Sequence, residues 1–436
     1  MKFVSVFAVI FSLCVPLPAF SGQTNDPALL TELLKRAEEN NPLLLAAEEQ
    51  IQVAAAQIDQ ASALPDPQLS ISLLNYPVNN LSSDTSPMTG NDFKLSQMLP
   101  FPGKLATKGE LAHQQELWAR AKHADLVLQV RQQVRDNWYQ LSFQKQAISL
   151  TQANIALLDD VIRITETRYQ VGKGLQQNIL KAQMERSRLH DRLLGLQADA
   201  EISHAQLNSL TGWTPDLMQM EMPEADQISN LPILTELKQQ ARNHRPLFAA
   251  FDALITQAKQ RIKLARLDYR PDINLWGGYR FRRDSLADGG HDFISAGISI
   301  NLPFPVAKRR AAMSEAESSL RQVYRQRDNF SRRVDFEIQS NLARFQQAQE
   351  LVSLYRSGII PQAEQTYQAT MAAYQVDKID FLALTDSLMT LYRYRIDQSR
   401  AQSDALRSLA RLLATTGLDQ TAGIKSQQLK KDAPHA

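Results

Sequence analysis

Shifted by about 204 residues, the chain aligns with itself over nearly its whole length. Leu33, Ala37, Pro42, Ile51, Ala54, Ile58 and Pro67 fall on Leu237, Ala241, Pro246, Ile255, Ala258, Ile262 and Pro271. Further on, Leu99-Pro100-Phe101-Pro102 meets Leu302-Pro303-Phe304-Pro305, Tyr169-Gln170-Val171 meets Tyr374-Gln375-Val376, and Gly212 meets Gly417. A period this long marks a duplication, not a solenoid, whose units run about 20 to 50 residues. Whatever the first half builds, the second builds again. The repeats span residues 22–212 and 233–417, with a joint rich in Pro, Asp, Met and Glu at 213–232 and a polar tail at 418–436.

Each half carries the same order of elements. A predicted helix over residues 28–62 stops at Pro65-Asp66-Pro67, and its counterpart over 233–267 stops at Pro271, since proline cannot continue a helix. Strict alternation follows. Leu69, Ile71 and Leu73 alternate with Ser70 and Ser72, and Ile273, Leu275, Gly277, Tyr279 and Phe281 alternate with Asn274, Trp276, Arg280 and Arg282. Period two with polar partners describes a strand that meets apolar surroundings on one side only. Loops rich in Pro, Asn, Ser and Gly (76–91 and 283–291) lead into return strands, the second reading Ile294, Ala296, Ile298, Ile300 and Leu302 against Ser295, Gly297, Ser299 and Asn301. One hairpin per half results.

Tilted strands of about nine to eleven residues are long enough to cross a bilayer. An isolated hairpin in lipid, however, leaves edge N–H and C=O groups unsatisfied. Four strands per chain are also fewer than the roughly eight of the smallest membrane barrels. Several copies must therefore pool their strands; two would make eight and three would make twelve.

The remaining sequence predicts helices too long for an ordinary globule. No proline interrupts residues 104–214, and Val127, Val134, Leu141, Ile148, Ile155 and Ile162 recur at every seventh position, the seam of a coiled-coil packing. Beyond Gly172-Lys173-Gly174 a second stripe runs back through Ile179, Ala182, Leu189, Leu193, Leu196, Ala200, Leu207 and Leu210, broken by Arg186 and Ser203. At about 1.5 Å per residue the outgoing helix reaches on the order of 100 Å. The second half repeats the pair, outward over 306–374 and back over 380–416, with Pro361 predicted to kink the outward helix. Narrow apolar stripes on long helices suit the wall of a hollow tube.

The first residues set the compartment. Met1-Lys2, an apolar run from Phe3 to Leu17 and small residues at Ala19 and Ser21 read as a secretory signal peptide over residues 1–21. The single cysteine, Cys14, lies inside it, and Leu13 before it is not the small residue a lipoprotein anchor wants. No other stretch approaches the roughly 18 apolar residues of a spanning helix, so any membrane span must be β. With 48 Lys plus Arg against 46 Asp plus Glu and no basic block, the footprint of a nucleic-acid binder is missing. Sixteen glycines among 436 residues, with abundant Ala, Leu, Gln, Arg and Glu, suit a mostly helical chain.

Catalytic signatures are missing too. The sequence contains no Gly-x-Ser-x-Gly, no phosphate loop and no His-Glu-x-x-His, so no catalytic or cofactor-binding residue is assigned. His113, His123, His190, His204 and His244 stand singly, whereas metal sites need clustered ligands. Met218-x-Met220-x-Met222 in the joint has two readings: thioether ligands for a soft ion such as Cu(I), or flexible packing of a linker.

These residues resemble the outer-membrane efflux protein family, TolC-like, over about residues 28–417. The doubled order of helix, hairpin and long helix pair is its layout, and Tyr169-Gln170-Val171-Gly172, followed by a heptad helix ending at Leu210-Thr211-Gly212, is similar to its helical hairpin tip. Gln97-Met98-Leu99-Pro100-Phe101-Pro102-Gly103-Lys104 looks like the strand exit of its heavy-metal, CzcC-like branch. The resemblance implies a homotrimer with a 12-stranded barrel in the outer membrane of a Gram-negative bacterium, continued by a helical tunnel through the periplasm. It also implies a periplasmic adaptor and an inner-membrane pump of the RND type as partners. The chain would then be a passive exit duct for metal ions or small molecules, not an enzyme. Type I protein secretion through the same duct, and a non-conducting coiled-coil scaffold of the envelope, are the alternatives.

Family members close the inner end of the tunnel with a tyrosine and acids on the second-half hairpin. Tyr374 and Asp386 match those positions; Ala383 replaces a second acid and Asp377 replaces the tip glycine, which leaves Asp377 and Asp380 to complete the constriction. The bland reading of the three acids is a solvated helix face. Val171, Gly172, Lys173 and Leu175, with Val376 and Lys378, are the candidates for adaptor contact; the competing reading is a helical turn that needs its glycines for geometry alone.

Overall fold

The computed structural model describes residues 26–84, 86–214, 231–284 and 289–418. The signal segment, the joint methionines Met218, Met220 and Met222, and the tail beyond 418 lie outside them.

Each half opens on two helices where the sequence predicts one. Helix α1 (Asp26–Asn40) and α2 (Pro42–Ser62) are separated by Asn41, whose backbone is extended at φ −70°, ψ 119° and whose side chain accepts the Leu43 N–H. Arg245 breaks the second half in the same way, at φ −72°, ψ 117°. The cause lies in Pro42 and Pro246. A residue preceding proline is driven out of the helical region, while the proline itself is well placed as the first residue of the next helix.

Strands β1 (Gln68–Leu74) and β2 (Gly90–Leu99) form the first hairpin; the long helix α3 (Lys104–Gln170) and its return α4 (Gln176–Thr211) follow. The second half supplies α5 (Leu234–His244), α6 (Pro246–Leu267), β3 (Ile273–Phe281) and β4 (Phe293–Ile300). The two hairpins join into one antiparallel sheet of order β1-β2-β3-β4. Ile71 pairs with Phe93, Phe93 with Tyr279, and Tyr279 with Ile294, so the apolar positions of all four strands share one face. β1 and β4 are edges.

Helix α3 has 67 residues, about 100 Å at helical rise. Val134, Leu141, Ile155 and Ile162 of the heptad seam are buried and Val127 and Ile148 half-buried. The outward path of the second half runs through α7 (Val306–Leu354), a five-residue π-helical stretch (Tyr355–Ile359) and α8 (Ile360–Gln375), and α9 (Phe381–Thr416) returns. Pro361 lacks the N–H that Ser357 would receive, and the widened turn sits just ahead of it, absorbing the mismatch within a continuous helix. Gly212 and Gly417, both left-handed at φ 63° and 73°, end the return helices.

Two apolar clusters fasten the halves together. One, around Trp138, Leu141, Phe345 and Leu409, joins α1, α3, α7 and α9. The other, around Leu158, Val161, Leu384 and Leu388, joins α3 to α9 towards the hairpin tips and also holds Ala182 and Leu189 of α4.

Candidate functional site

The sheet carries opposite chemistry on its two faces. Leu69, Ile71, Leu73, Leu95, Leu275 and Ile298 are bare on one. The other presents Asp92, Lys94, Trp276 and Arg280. There the Lys94 ammonium lies 4.2 Å from the centre of the Trp276 ring, and Arg280 Nε lies 3.5 Å from Asp92 Oδ1. Gly297 makes room for the indole, since a Cβ at that position would stand 2.6 Å from it. Among the described residues no helix is long and apolar enough to cross a membrane. A sheet that is apolar outside, polar inside and open at both edges is one arc of a transmembrane barrel wall.

Below the sheet a buried lysine and a half-buried aspartate tie the halves. Lys104, only 5% exposed, donates to Asp272 at 2.9 and 3.1 Å and to the Arg270 carbonyl at 3.3 Å. Asp272 also accepts the Phe101 N–H at 2.8 Å. Burial alone would raise the Asp272 carboxyl, but the hydrogen bonds from Lys104 and Phe101 and the nearby ammonium outweigh it and hold the group below the usual aspartate value.

At the opposite end the helices turn in two exposed tips. Val171, Gly172, Lys173 and Leu175 form one, Val376 and Lys378 part of the other, and all six are exposed. Gly172 is left-handed at φ 73°; so, at φ 64°, is Asp377, despite its side chain. Tyr374 faces inward. Its ring packs edge-on to Phe381, its hydroxyl lies 3.4 Å from Thr165 Oγ1, and the Arg168 guanidinium stacks 4.5 Å from its centroid. Arg168 also donates to the Tyr374 carbonyl and pairs with the Asp377 carboxylate. Asp380 caps α9, accepting the Ala383 N–H at 2.9 Å. Asp386 lies nearly two turns further on, in a groove between α4 and α9 that Glu185, Arg192, Tyr392 and Arg393 also line. Tyr374 and Asp377 are thus brought together by Arg168, whereas Asp380 and Asp386 stand apart from that cluster. Sequence reasoning missed Arg168 and Thr165, because nothing local marks a partner about 200 residues away. It also missed Leu382, an exposed apolar residue beside the second tip.

Among the described residues no three His, Cys, Asp or Glu side chains gather as a metal site.

The profile of the family described as "Outer membrane efflux protein" matches residues 33–213 and again 237–418. The chain belongs to that family. Like the outer membrane efflux proteins it resembles, it resides in the outer membrane and reaches into the periplasm, and it is a channel component of tripartite efflux systems. The cobalt-zinc-cadmium resistance protein CzcC of Cupriavidus metallidurans is 22% identical over 383 residues, 87% of each chain. A crystal structure of CusC superposes with a TM-score of 0.77 at 19% identity, covering 89% of this chain and 92% of that one. The outer membrane protein VceC of Vibrio cholerae gives 0.74 at 20% identity, over 89% and 96%. These likenesses establish the fold of an efflux channel with two repeats.

Proposed function

We propose that three copies of this chain form the passive outer-membrane exit duct of a tripartite system that expels divalent metal ions. The observation that carries the duct is the four-stranded sheet with a bare apolar outer face and two unpaired edges, set on helices of about 100 Å. Three such sheets make a 12-stranded wall, and Asp92, Lys94, Trp276 and Arg280 then line water. The similarity to a cobalt-zinc-cadmium resistance protein favours metal cargo. The partner pump, of the RND type, supplies the energy and selects the cargo, and a periplasmic adaptor docks on the tips around Val171, Gly172, Lys173, Leu175, Val376 and Lys378.

The tip is the gate in this reading. Arg168 holds Tyr374 and Asp377 against α3, and Asp380 and Asp386 from three copies place carboxylates around the inner opening, where they favour cations and repel one another. The test is deletion of the gene followed by growth on cobalt, zinc and cadmium salts, with detergents and antibiotics in parallel. Metal sensitivity of the deletion strain, reversed when the gene is returned, supports the reading. Unchanged metal tolerance with new drug sensitivity keeps the duct and removes the metal cargo.

A further inference from the structure

The helix registers of the two halves keep the same offset: Val130, Val134 and Leu141 of α3, and Val334, Ile338 and Phe345 of α7, are buried alike at a spacing of 204 residues. Counterparts elsewhere are not buried alike. Lys104 is 5% exposed and knotted to Asp272, whereas its counterpart Lys308 is exposed and pairs with no acid among the described residues. Phe101 is half-buried, but Phe304, its counterpart in the Leu-Pro-Phe-Pro motif, is 75% exposed. On the second helix of each half the asymmetry runs the other way. Gln257 of α6 is 9% exposed, bonded to the Leu111 carbonyl and Gln115 of α3, while its counterpart Val53 of α2 is 50% exposed.

Lys308, Phe304 and Val53 are each bare where the counterpart, Lys104, Phe101 or Gln257, is covered at least in part by the other half of the same chain. Within the chain, the start of α3 packs on both α2 and α6; the start of α7 packs on α6 alone, where Arg309 donates to the Asp268 carbonyl at 2.8 Å, and the outer side of α2, with its turn into β1, carries no second helix. Those two surfaces are the complementary partners of one contact, and a chain cannot bring them together by itself because β1 and β4 lie at opposite edges of the sheet. The charges complement as well. Asp66 is exposed in the turn before β1, between the positions equivalent to Asp268 and Asp272, and Gln68 takes the place of Asp272.

We infer that Lys308 and Phe304 of one copy dock on Asp66, Gln68 and Val53 of the next, so that the junction between subunits repeats the Lys104–Asp272 knot within each. The occupant of the bare face is a second copy of this chain. The inference rests on the duct reading above and adds to it a specified contact below the barrel. One consequence is an ion pair at every subunit boundary, supplied by Lys308 on one side and Asp66 on the other.

Cysteine pairs test it in a Cys14→Ser background. Asp66→Cys with Lys308→Cys, and separately Val53→Cys with Glu315→Cys (the counterpart of Leu111), are treated in whole cells with a short bismaleimide and resolved on denaturing gels. Both pairs should yield covalent dimers and trimers, and the single-cysteine variants none. Because all four positions are exposed in the single chain, substitution should not impair its folding. Light scattering of the untreated protein in detergent separates the outcomes. A trimer in which neither pair links overturns this contact and leaves the duct standing; labelling of Phe304→Cys by a lipid-soluble maleimide would then give that face to lipid. A monomer overturns both. As an independent measure, Asp66→Lys alone should lower the temperature at which the trimer dissociates, and Asp66→Lys with Lys308→Asp should recover it; failure of the exchange to recover any of the loss contradicts the pair.

Discussion

Arg168, near the end of the first outgoing helix, places its guanidinium 4.5 Å from the centre of the Tyr374 ring at the end of the second. It also donates to the Tyr374 carbonyl and pairs with Asp377, so one side chain holds Tyr374 and Asp377 against α3. A stacked cation contributes about 0.5 to 2 kcal/mol, depending on how dry the site is. Arg168→Ala is therefore expected to loosen the tip without unfolding the chain. Single-channel conductance in a planar bilayer should rise several-fold, with secondary structure unchanged; equal conductance would remove Arg168 from the gate.

Asp386 stands outside that latch, beside Arg192 and Glu185. If three copies gather it at the opening, Asp386→Asn should raise conductance, reduce preference for cations over anions, and flatten the dependence of both on salt. Reversal potentials across a salt gradient measure this directly. No change in conductance or selectivity would leave Asp386 as a solvated helix residue.

The Lys104–Asp272 pair predicts a sharper cost. Asp272 is only half-buried, so taking away the Lys104 ammonium costs its charge-assisted hydrogen bonds, about 1.5 to 3 kcal/mol, and Lys104→Met should lower the dissociation temperature of the assembly. The pH dependence has a definite sign. Asp272 is held below its ordinary value in the folded chain, so its contribution is complete above the unfolded aspartate pKa of 3.8 and fades as pH falls through the still lower folded value. Wild-type protein should lose this increment only below about pH 4. The variant, lacking it throughout, should show a shallower acid limb.

Gly297→Val tests the inner face of the wall. A Cβ there would meet the indole of Trp276 at 2.6 Å, so the ring must swing away and release Lys94 from its stack. The expected result is reduced heat resistance of the assembled protein with a shifted Trp fluorescence maximum. An unchanged spectrum would mean that the indole is not packed on β4.

At the tips, Val171→Asp combined with Val376→Asp should abolish resistance in the growth assay while leaving assembly and bilayer conductance intact, since both side chains are exposed. Resistance equal to wild type would move adaptor contact elsewhere.

Much of this was legible in the residues. The duplication, the alternation of Ile273 to Phe281 and the seven-residue spacing through Val134, Leu141, Ile155 and Ile162 each express a period that the backbone imposes on side chains. The breaks at Asn41 and Arg245 were not legible as breaks. Pro42 and Pro246 fit inside a helical apolar pattern, and only the conformational bias they place on the preceding residue ends the helix. Pro361 marks a disturbance of the outward helix in the sequence, and a π-helical turn lies just ahead of it in the structure. The latch was hidden for another reason. Thr165, Arg168 and Tyr374 meet only because two helices of great length lie side by side, and no local pattern records that pairing.

In the assembled duct, copies of this chain close a water-filled cylinder through lipid. Purified mature protein added to a planar lipid bilayer tests it most directly. Discrete, long-lived conductance steps are expected, and they should grow when Arg168 is replaced by Ala. A well-folded, sheet-containing protein that inserts but never carries current, with or without that substitution, would contradict it.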